Sequence, residues 1–303
     1  VTLSPGGRRV VLRAVGGNGR VGLFVIDLQG ESFTFKRSVL FSDGDVYRVR
    51  WLDEDRLMFG VTDLRSGWSE GQIRAPGLFV VRYDGEGLKQ LVAHQGRSIV
   101  TTERSDRLLP ANHELLHVPS EAAASPSARR DEVIVGEWVE ARGEWSHVVP
   151  RWLHVGSGRT RSLDTGRTPC LAQRWWFSPS GVPRAMQCGE GERESLHVFT
   201  LPRDGRAGGW RKVTEGPRGK LSFYPAWVGE GDEILVTWAG GPAGEEVVGP
   251  LDLERGVPGP VRVSAPGFDI GGPFFGDASG RQLLGVRLST DAEQTVWFDA
   301  AHR

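Results

Sequence analysis

Hydrophobic and polar positions alternate in short runs along the whole chain, and turns rich in Gly, Pro, Ser and Asp cut the runs apart. The clearest stretch is Ala172–Gly205. Gln173–Phe177 is a β-favouring run that ends at Ser178-Pro179-Ser180-Gly181, where proline presets φ and glycine accepts φ > 0. Val182–Cys188 returns antiparallel, and a polar loop, Gly189–Ser195, leads to a third run, Leu196–Leu201. That run closes at Pro202-Arg203-Asp204-Gly205, and Trp210–Val213 follows as a fourth. The pattern predicts strand, tight turn, strand, variable loop, strand, Asp-Gly turn, strand.

The same unit recurs. Its first hairpin is repeated in Val1–Val15, Tyr47–Val61, Arg107–Val118, Tyr224–Trp238 and Gly272–Leu288. Its third strand and closing turn are repeated in Leu23–Gly30, Leu78–Gly85, Arg151–Gly158, Val247–Gly256 and Thr295–Ala300. Third strands therefore start at 23, 78, 151, 196, 247 and 295, which makes six copies. A four-strand unit repeated every ~40–50 residues is the signature of a β-propeller. The expectation is an all-β chain, one propeller domain over 1–303, with units near 1–43, 44–98, 99–166, 167–215, 216–266 and 267–303. No segment sustains a helical period. The sixth unit stops at its third strand, Trp297–Asp299, with no spare strand at the N-terminus to complete it. That end suggests an open ring.

Length varies mainly between the second and third runs, at Asp63–Pro76, Pro119–Pro150, Gly189–Ser195 and Ala239–Gly244. In an antiparallel blade these connections emerge at one end, and insertions confined to one end mark the end that touches something. On position alone, Arg65, Trp68, Arg74, Glu190 and Glu192 are the contact candidates. The third unit has two readings. Either Arg107–Val118 is its first hairpin and Glu132–Glu140 and Glu144–Val149 are two extra or extended strands around Ala141-Arg142-Gly143, or Val133–Val139 is its true second strand and the Ala-rich segment before it is a loop tip.

Composition narrows the function classes. Basic and acidic residues number 37 and 38, so no strong field argues for nucleic acid or an anionic membrane. Only Lys36, Lys89, Lys212 and Lys220 are lysines, leaving 33 arginines. No apolar run reaches the ~18–20 residues of a membrane span, and nothing at Val1 resembles a signal peptide, as expected of a processed or excised product. Cys170 and Cys188 flank the central hairpin and lie close to opposite each other. A disulfide in an oxidising compartment and two inert thiols both fit that placement.

Two short motifs are rejected on context. Gly67-Trp68-Ser69-Glu70-Gly71 matches the nucleophile elbow G-x-S-x-G, but the elbow needs a strand before the serine and a helix after it. Gly17–Gly22 matches G-x-G-x-x-G, yet the chain runs on into a strand where a dinucleotide site requires a helix N-terminus. The seven histidines show no zinc-like spacing with cysteines or carboxylates. Glu190, Glu192 and Glu194 alternate along one loop, as a substrate-amine anchor or a solvated turn would. No catalytic, metal or cofactor residue is assigned.

Several segments together point to a family. They are the Ser-Pro-x-Gly turns at Ser4–Gly7 and Ser178–Gly181, Trp51–Leu57, Leu78–Gly85, the Asp106–Leu116 stretch around Leu109-Pro110, and Gly285–Arg287 with Trp297–Asp299. In this order they resemble the N-terminal β-propeller of prolyl oligopeptidase-type serine peptidases, in the bacterial dipeptidyl and acylaminoacyl peptidase branch. The usual Asp of those turns is replaced by Gly6 and Ser180. The resemblance implies a ring of seven or eight blades and a non-catalytic propeller that gates short peptides. It also implies an α/β-hydrolase domain of the same protein as partner, which this chain lacks, and a bacterial cytoplasmic or periplasmic setting. The alternative is a free-standing TolB- or WD40-like propeller that binds a protein or ligand. No family catalytic residue carries over, because no triad order has a supporting fold here.

Overall fold

The computed structural model describes residues 1–29, 34–66, 76–94, 103–120, 131–141, 143–202, 208–277 and 279–298, with 103–106 described by backbone alone. Six sheets follow one another along the chain. The first holds β1 (Thr2–Leu3), β2 (Arg9–Val15), β3 (Val21–Asp27) and β4 (Thr34–Val39). The second holds β5 (Asp45–Trp51), β6 (Arg56–Thr62), β7 (Leu78–Arg82), β8 (Lys89–Val92) and β9 (Glu103–Leu109). The third holds β10 (His113–His117), β11 (Glu132–Ala141), β12 (Glu144–His154) and β13 (Thr160–Ser162). The fourth is β14 (Ala172–Phe177), β15 (Pro183–Glu190), β16 (Arg193–Thr200) and β17 (Gly209–Pro217). The fifth is β18 (Tyr224–Val228), β19 (Ile234–Ala239), β20 (Glu246–Asp252) and β21 (Val257–Pro258); the sixth is β22 (Phe274–Gly276), β23 (Leu283–Ser289) and β24 (Glu293–Trp297). A single 3-10 turn, Leu64–Ser66, is the helical content among the described residues. No helix among them is long and apolar enough to cross a membrane.

This is the all-β, four-stranded antiparallel blade architecture that the repeats predict, with one correction. The expectation of a seven- or eight-bladed ring is overturned: the sheets are six, evenly spaced along the chain, and define a six-bladed propeller. The sixth sheet is three-stranded among the described residues. The larger ring came from the family resemblance, which does not set the blade count.

The third unit is corrected as well. Arg107–Val118 is not a hairpin: β9 leaves that unit and pairs parallel with β8 at the edge of the second sheet, Lys89 opposite Glu103. The partner of β10 is β11, His113 opposite Glu137, so Val133–Val139 lies in the true second strand. The long connection, residues 118–131, therefore joins the first and second strands of its blade. The second-to-third connection there is the short step from Ala141 to Glu144. Length variation is not confined to one end of the blades.

The chain divides into two compact units. One comprises Val1–Val118, Arg129–Trp138 and Val149–Leu163, the other Pro119–Ala128, Val139–Val148 and Asp164–Arg303. In each, the core lies between neighbouring sheets. Along β6, Leu57, Phe59 and Val61 point into the core shared with the first sheet, while Met58 points into the one shared with the third. Phe79 and Val81 of β7 follow the former, Leu78 and Val80 the latter. In the second unit Leu235 of β19 packs opposite to its neighbours Ile234 and Val236. Strands sandwiched on both faces carry near-continuous apolar runs, which is why the middle strands read so clearly. Each fully buried Leu, Val or Phe contributes about 1.5–3 kcal/mol.

Charged side chains fasten adjacent blades at two repeated places. At the first-to-second turn, an arginine at the start of the second strand reaches a carboxylate of the next blade. Arg9 donates to Asp55 at 3.0 Å, Arg184 to Asp232 at 3.3 Å, and Arg56 to Asp131. The Ser-Pro-x-Gly turns join in. Glu54 accepts from Ser4 Oγ (2.8 Å) and Gly6 N (2.6 Å), and Glu230 from Ser180 N (2.6 Å) and Ser180 Oγ (3.1 Å). The closing glycines, Gly7 and Gly181, have φ of 71° and 85°, as a turn of this kind requires. At the outer edge, a fourth-strand side chain donates to a main-chain carbonyl at the next blade's third-to-fourth turn. Ser38 Oγ meets Arg82 O (3.1 Å), Lys89 Nζ meets Gly156 O (2.6 Å), and Arg211 meets Glu254 O (2.9 Å) and Leu253 O.

Candidate functional site

The β2–β3 connection in the first unit is a tight turn. Gly16 N donates to Arg20 O (2.8 Å), Gly19 N to Gly16 O (2.9 Å), and Gly19 has φ of 72°. The chain then enters β3, so the G-x-G-x-x-G match has no helix to hold a phosphate. Arg20 lies between Asp63 (2.7 Å) and Asp45 (3.0 Å). Asp45 is 2% exposed and also accepts from Val21 N (2.7 Å) and Leu64 N (2.9 Å). The hydrogen bond to Asp63, working against burial, holds the Arg20 guanidinium above its ordinary pKa. Arg65 donates to Gly19 O (2.6 Å) and Asn18 O (3.2 Å), which ties the 3-10 turn to the β2–β3 turn. Trp68, Arg74 and the G-x-S-x-G segment lie outside the described residues.

In the second unit the β15–β16 turn carries Glu190 and Glu192, both exposed, around Gly191 with φ of 56°. The turn is a strand pair almost to its tip, Glu190 opposite Arg193. Glu194 does not share the solvent with them: it is 5% exposed and accepts from Gln187 Nε2 (2.7 Å), Tyr224 OH (2.8 Å) and Gly219 N (2.9 Å). Burial pushes the Tyr224 hydroxyl above its usual pKa, which keeps it a donor to that carboxylate. The three alternating glutamates are therefore two exposed charges and one structural anchor, not a joint amine site.

Two apolar side chains emerge at the same end of the second unit, Trp145 at 45% exposure and Leu171 at 59%. Trp145 precedes Ser146, whose carbonyl accepts from Gln173 (3.2 Å), and Leu171 stands two residues before Gln173. Arg218 reaches the other side of Gln173, Nη2 to Oε1 at 3.2 Å, and its N–H bonds Glu192 O (2.9 Å). Trp145 and Leu171 thus lie near Gln173, and Arg218 links Gln173 to the β15–β16 turn at Glu192. Sequence reasoning assigned neither Trp145 nor Leu171 to this rim.

The opposite face of β15 and β16 holds a second cluster. Cys170 and Cys188 form a disulfide with Cα atoms 6.2 Å apart. A ring nitrogen of His197 and both sulfurs lie within 4.8 Å of one another. Met186, Cys188 and Ala172 form the buried floor, with Trp175 and Trp210 packed against it. His197 is 7% exposed, and burial, then the charge of Lys212, lowers its pKa, so the ring is neutral at pH 7. Ser195 Oγ is 3.0 Å from His197 Nε2, a nucleophile–base distance. A serine triad also needs a carboxylate on Nδ1, and that nitrogen is buried with no hydrogen-bond partner. The pair is two positions of one strand, with no helix behind the serine and no orienting acid.

The strand order and these geometries define a six-bladed β-propeller. No protein-family model matches the chain, and no curated protein does. Solved propeller-containing structures are similar at low identity. A prolyl endopeptidase is similar over 99% of this chain and 39% of its own, at 16% identity and a TM-score of 0.46. A puromycin-hydrolysing peptidase of Mycobacterium tuberculosis is similar over 98% and 44%, at 17% identity and a TM-score of 0.45. A putative TolB from Agrobacterium tumefaciens is similar over 99% and 89%, at 11% identity and a TM-score of 0.40. The chain spans less than half the length of the two peptidases.

Proposed function

We propose that this chain is a binding propeller that holds a protein or peptide partner against the Trp145–Leu171 rim of its second unit and performs no catalysis of its own. The observation that carries the reading is the pairing of exposed apolar side chains with free-standing charge. Trp145 and Leu171 are exposed near Gln173, which Arg218 joins to the turn carrying exposed Glu190 and Glu192, whereas the buried polar groups Asp45 and Glu194 are consumed in fastening blades. Tryptophan at a polar rim is the residue type most enriched at binding hot spots. The test is selection of a random-peptide library on the folded chain. Binders are expected, and Trp145→Ala weakens them by about tenfold or more with the melting temperature unchanged. No enrichment, or binders indifferent to Trp145→Ala, overturns the reading.

A second reading is supported by the order of the segments that resemble the prolyl oligopeptidase-type propeller. On it, the same rim faces an α/β-hydrolase domain of a longer protein, the chain gates short peptides, and Arg65, Trp68, Arg74, Glu190 and Glu192 are contacts to domain or substrate. The clasping of Ser4–Gly7 and Ser178–Gly181 by Glu54 and Glu230 gives those motifs a role in joining blades, which any propeller needs. The first reading therefore leads. Cross-links from the intact natural protein that join Glu192 to a hydrolase domain favour the second.

A further inference from the structure

We propose that reduction of the Cys170–Cys188 disulfide opens a site for one thiophilic cation, Zn2+, held by the two cysteine sulfurs and a ring nitrogen of His197. The three ligating atoms already lie within 4.8 Å of one another. Zinc bonds sulfur at ~2.3 Å and imidazole nitrogen at ~2.0–2.1 Å, so shifts on the order of an ångström seat the ion. The fold permits them: Cys188 and His197 are fixed on adjacent strands, while Cys170 lies on the half-buried connection before β14.

The histidine is the second, independent observation. A plain structural disulfide has no use for an imidazole beside it, and a buried ring nitrogen without a partner calls for an explanation. His197 is 7% exposed, and its Nδ1 has no hydrogen-bond partner. Ser195 Oγ stands 3.0 Å from Nε2 and restrains the ring. Register puts the ligands on one face: Cys188 is opposite Ser195, and Met186 is opposite His197. Two thiolates, an imidazole and a neighbouring thioether form a soft donor set, suited to zinc and unsuited to Mg2+ or Ca2+.

The chemistry balances. A dithiol reductant gives two electrons and two protons to the disulfide; the S–S bond breaks, two thiols form, and the reductant leaves as its own disulfide. Zn2+ then displaces one proton from each thiol to solvent, and neutral His197 supplies a nitrogen lone pair. The oxidised chain offers only disulfide sulfurs, which are poor ligands, so the site exists in one redox state alone.

The test is a Zn2+ titration of the full chain, reduced with a phosphine, freed of it under nitrogen, and read by competition with a chromophoric chelator. The expected result is one Zn2+ per reduced chain and none per oxidised chain. Co2+ in its place gives a sulfur-to-metal charge-transfer band in the near ultraviolet. His197→Ala lowers affinity by about tenfold or more, and Zn2+ slows iodoacetamide labelling of Cys170 and Cys188 in the wild-type chain. A reduced chain that keeps its circular-dichroism spectrum yet takes up no stoichiometric Zn2+ overturns the proposal. So does a His197→Ala chain that binds as tightly as wild type, or a chain that unfolds on reduction.

Discussion

The two Ser-Pro-x-Gly turns perform one task in two environments. In the first unit Glu54 clasps Ser4–Gly7 with the Arg9–Asp55 pair beside it, and in the second Glu230 clasps Ser178–Gly181 with the Arg184–Asp232 pair beside it. The first copy is enclosed at Ser4, which is buried like Ser178, but open at its carboxylates. The Arg9 side chain is 11% exposed and its partner Asp55 63%, and Arg9 also stacks over Tyr83 at 3.7 Å. The second copy is enclosed: Arg184 is 1% exposed, Asp232 24%, and Ser178 and Ser180 are buried. The lesson is that a repeated sequence motif carries a geometry and not an energy. The same bonds are worth more where water cannot replace them.

That contrast is easiest to break at the arginines. Arg184→Ala is expected to cost about 3 kcal/mol, the low end for breaking a buried ion pair. Arg9→Ala should cost about 1–2 kcal/mol: Arg9 has more partners, Asp27, Glu54, Asp55 and the Tyr83 ring, but those carboxylates are one-quarter to two-thirds exposed and water can replace much of what they lose. Urea denaturation of both variants decides it, and an Arg9→Ala loss as large as that of Arg184→Ala removes the distinction. The carboxylates should show a smaller gap. Glu230→Ala strands the N–H of buried Ser180 and leaves its hydroxyl with Ser178 Oγ alone, and is expected to cost about 2–3 kcal/mol, against about 1–2 for Glu54→Ala. Equal midpoints for that pair would mean that enclosure adds nothing.

The smallest effect comes from making the first turn resemble the second. A Cβ on Gly6 would stand 2.7 Å from Glu54 Oε2, the far end of a flexible side chain. Ser180 shows that a serine at this position can instead bond the carboxylate through its hydroxyl at 3.1 Å. Gly6→Ser should therefore change stability by less than about 1 kcal/mol, and a loss above about 2 would show that Glu54 has no room to move.

The blades were legible in the sequence because their middle strands are buried on both faces. Runs such as Leu57–Val61 and Leu78–Val81 stay apolar throughout, and their turns need glycine at positive φ. The third blade misled because Arg107–Leu109 and His113–His117 look like a hairpin around Leu109-Pro110. Only edge pairing in the structure reveals that the first of them belongs to β9, on the previous sheet. The sulfur–imidazole cluster was hidden for a related reason. Residues 189–195 are so polar that they read as a loop, whereas they pair as strand down to Glu190 opposite Arg193. Without that register, nothing aligns Cys188 with Ser195 or brings His197 round to the disulfide. The exposure of Trp145 and Leu171 has no signature in composition at all.

The outer-edge contacts from Ser38, Lys89 and Arg211 end on main-chain carbonyls. A carbonyl is present whatever residue carries it, so the receiving turn is under no obligation to keep any particular side chain. Sequences there can drift freely while the joint persists. A blade copied by gene duplication would meet its new neighbour with a ready acceptor from the first generation, and only the donor would have to be inherited. The inner carboxylate joints lack this tolerance, since Glu54 and Glu230 must be present by identity. Traces of descent should therefore fade at the rim of the blades long before they fade near the Ser-Pro-x-Gly turns.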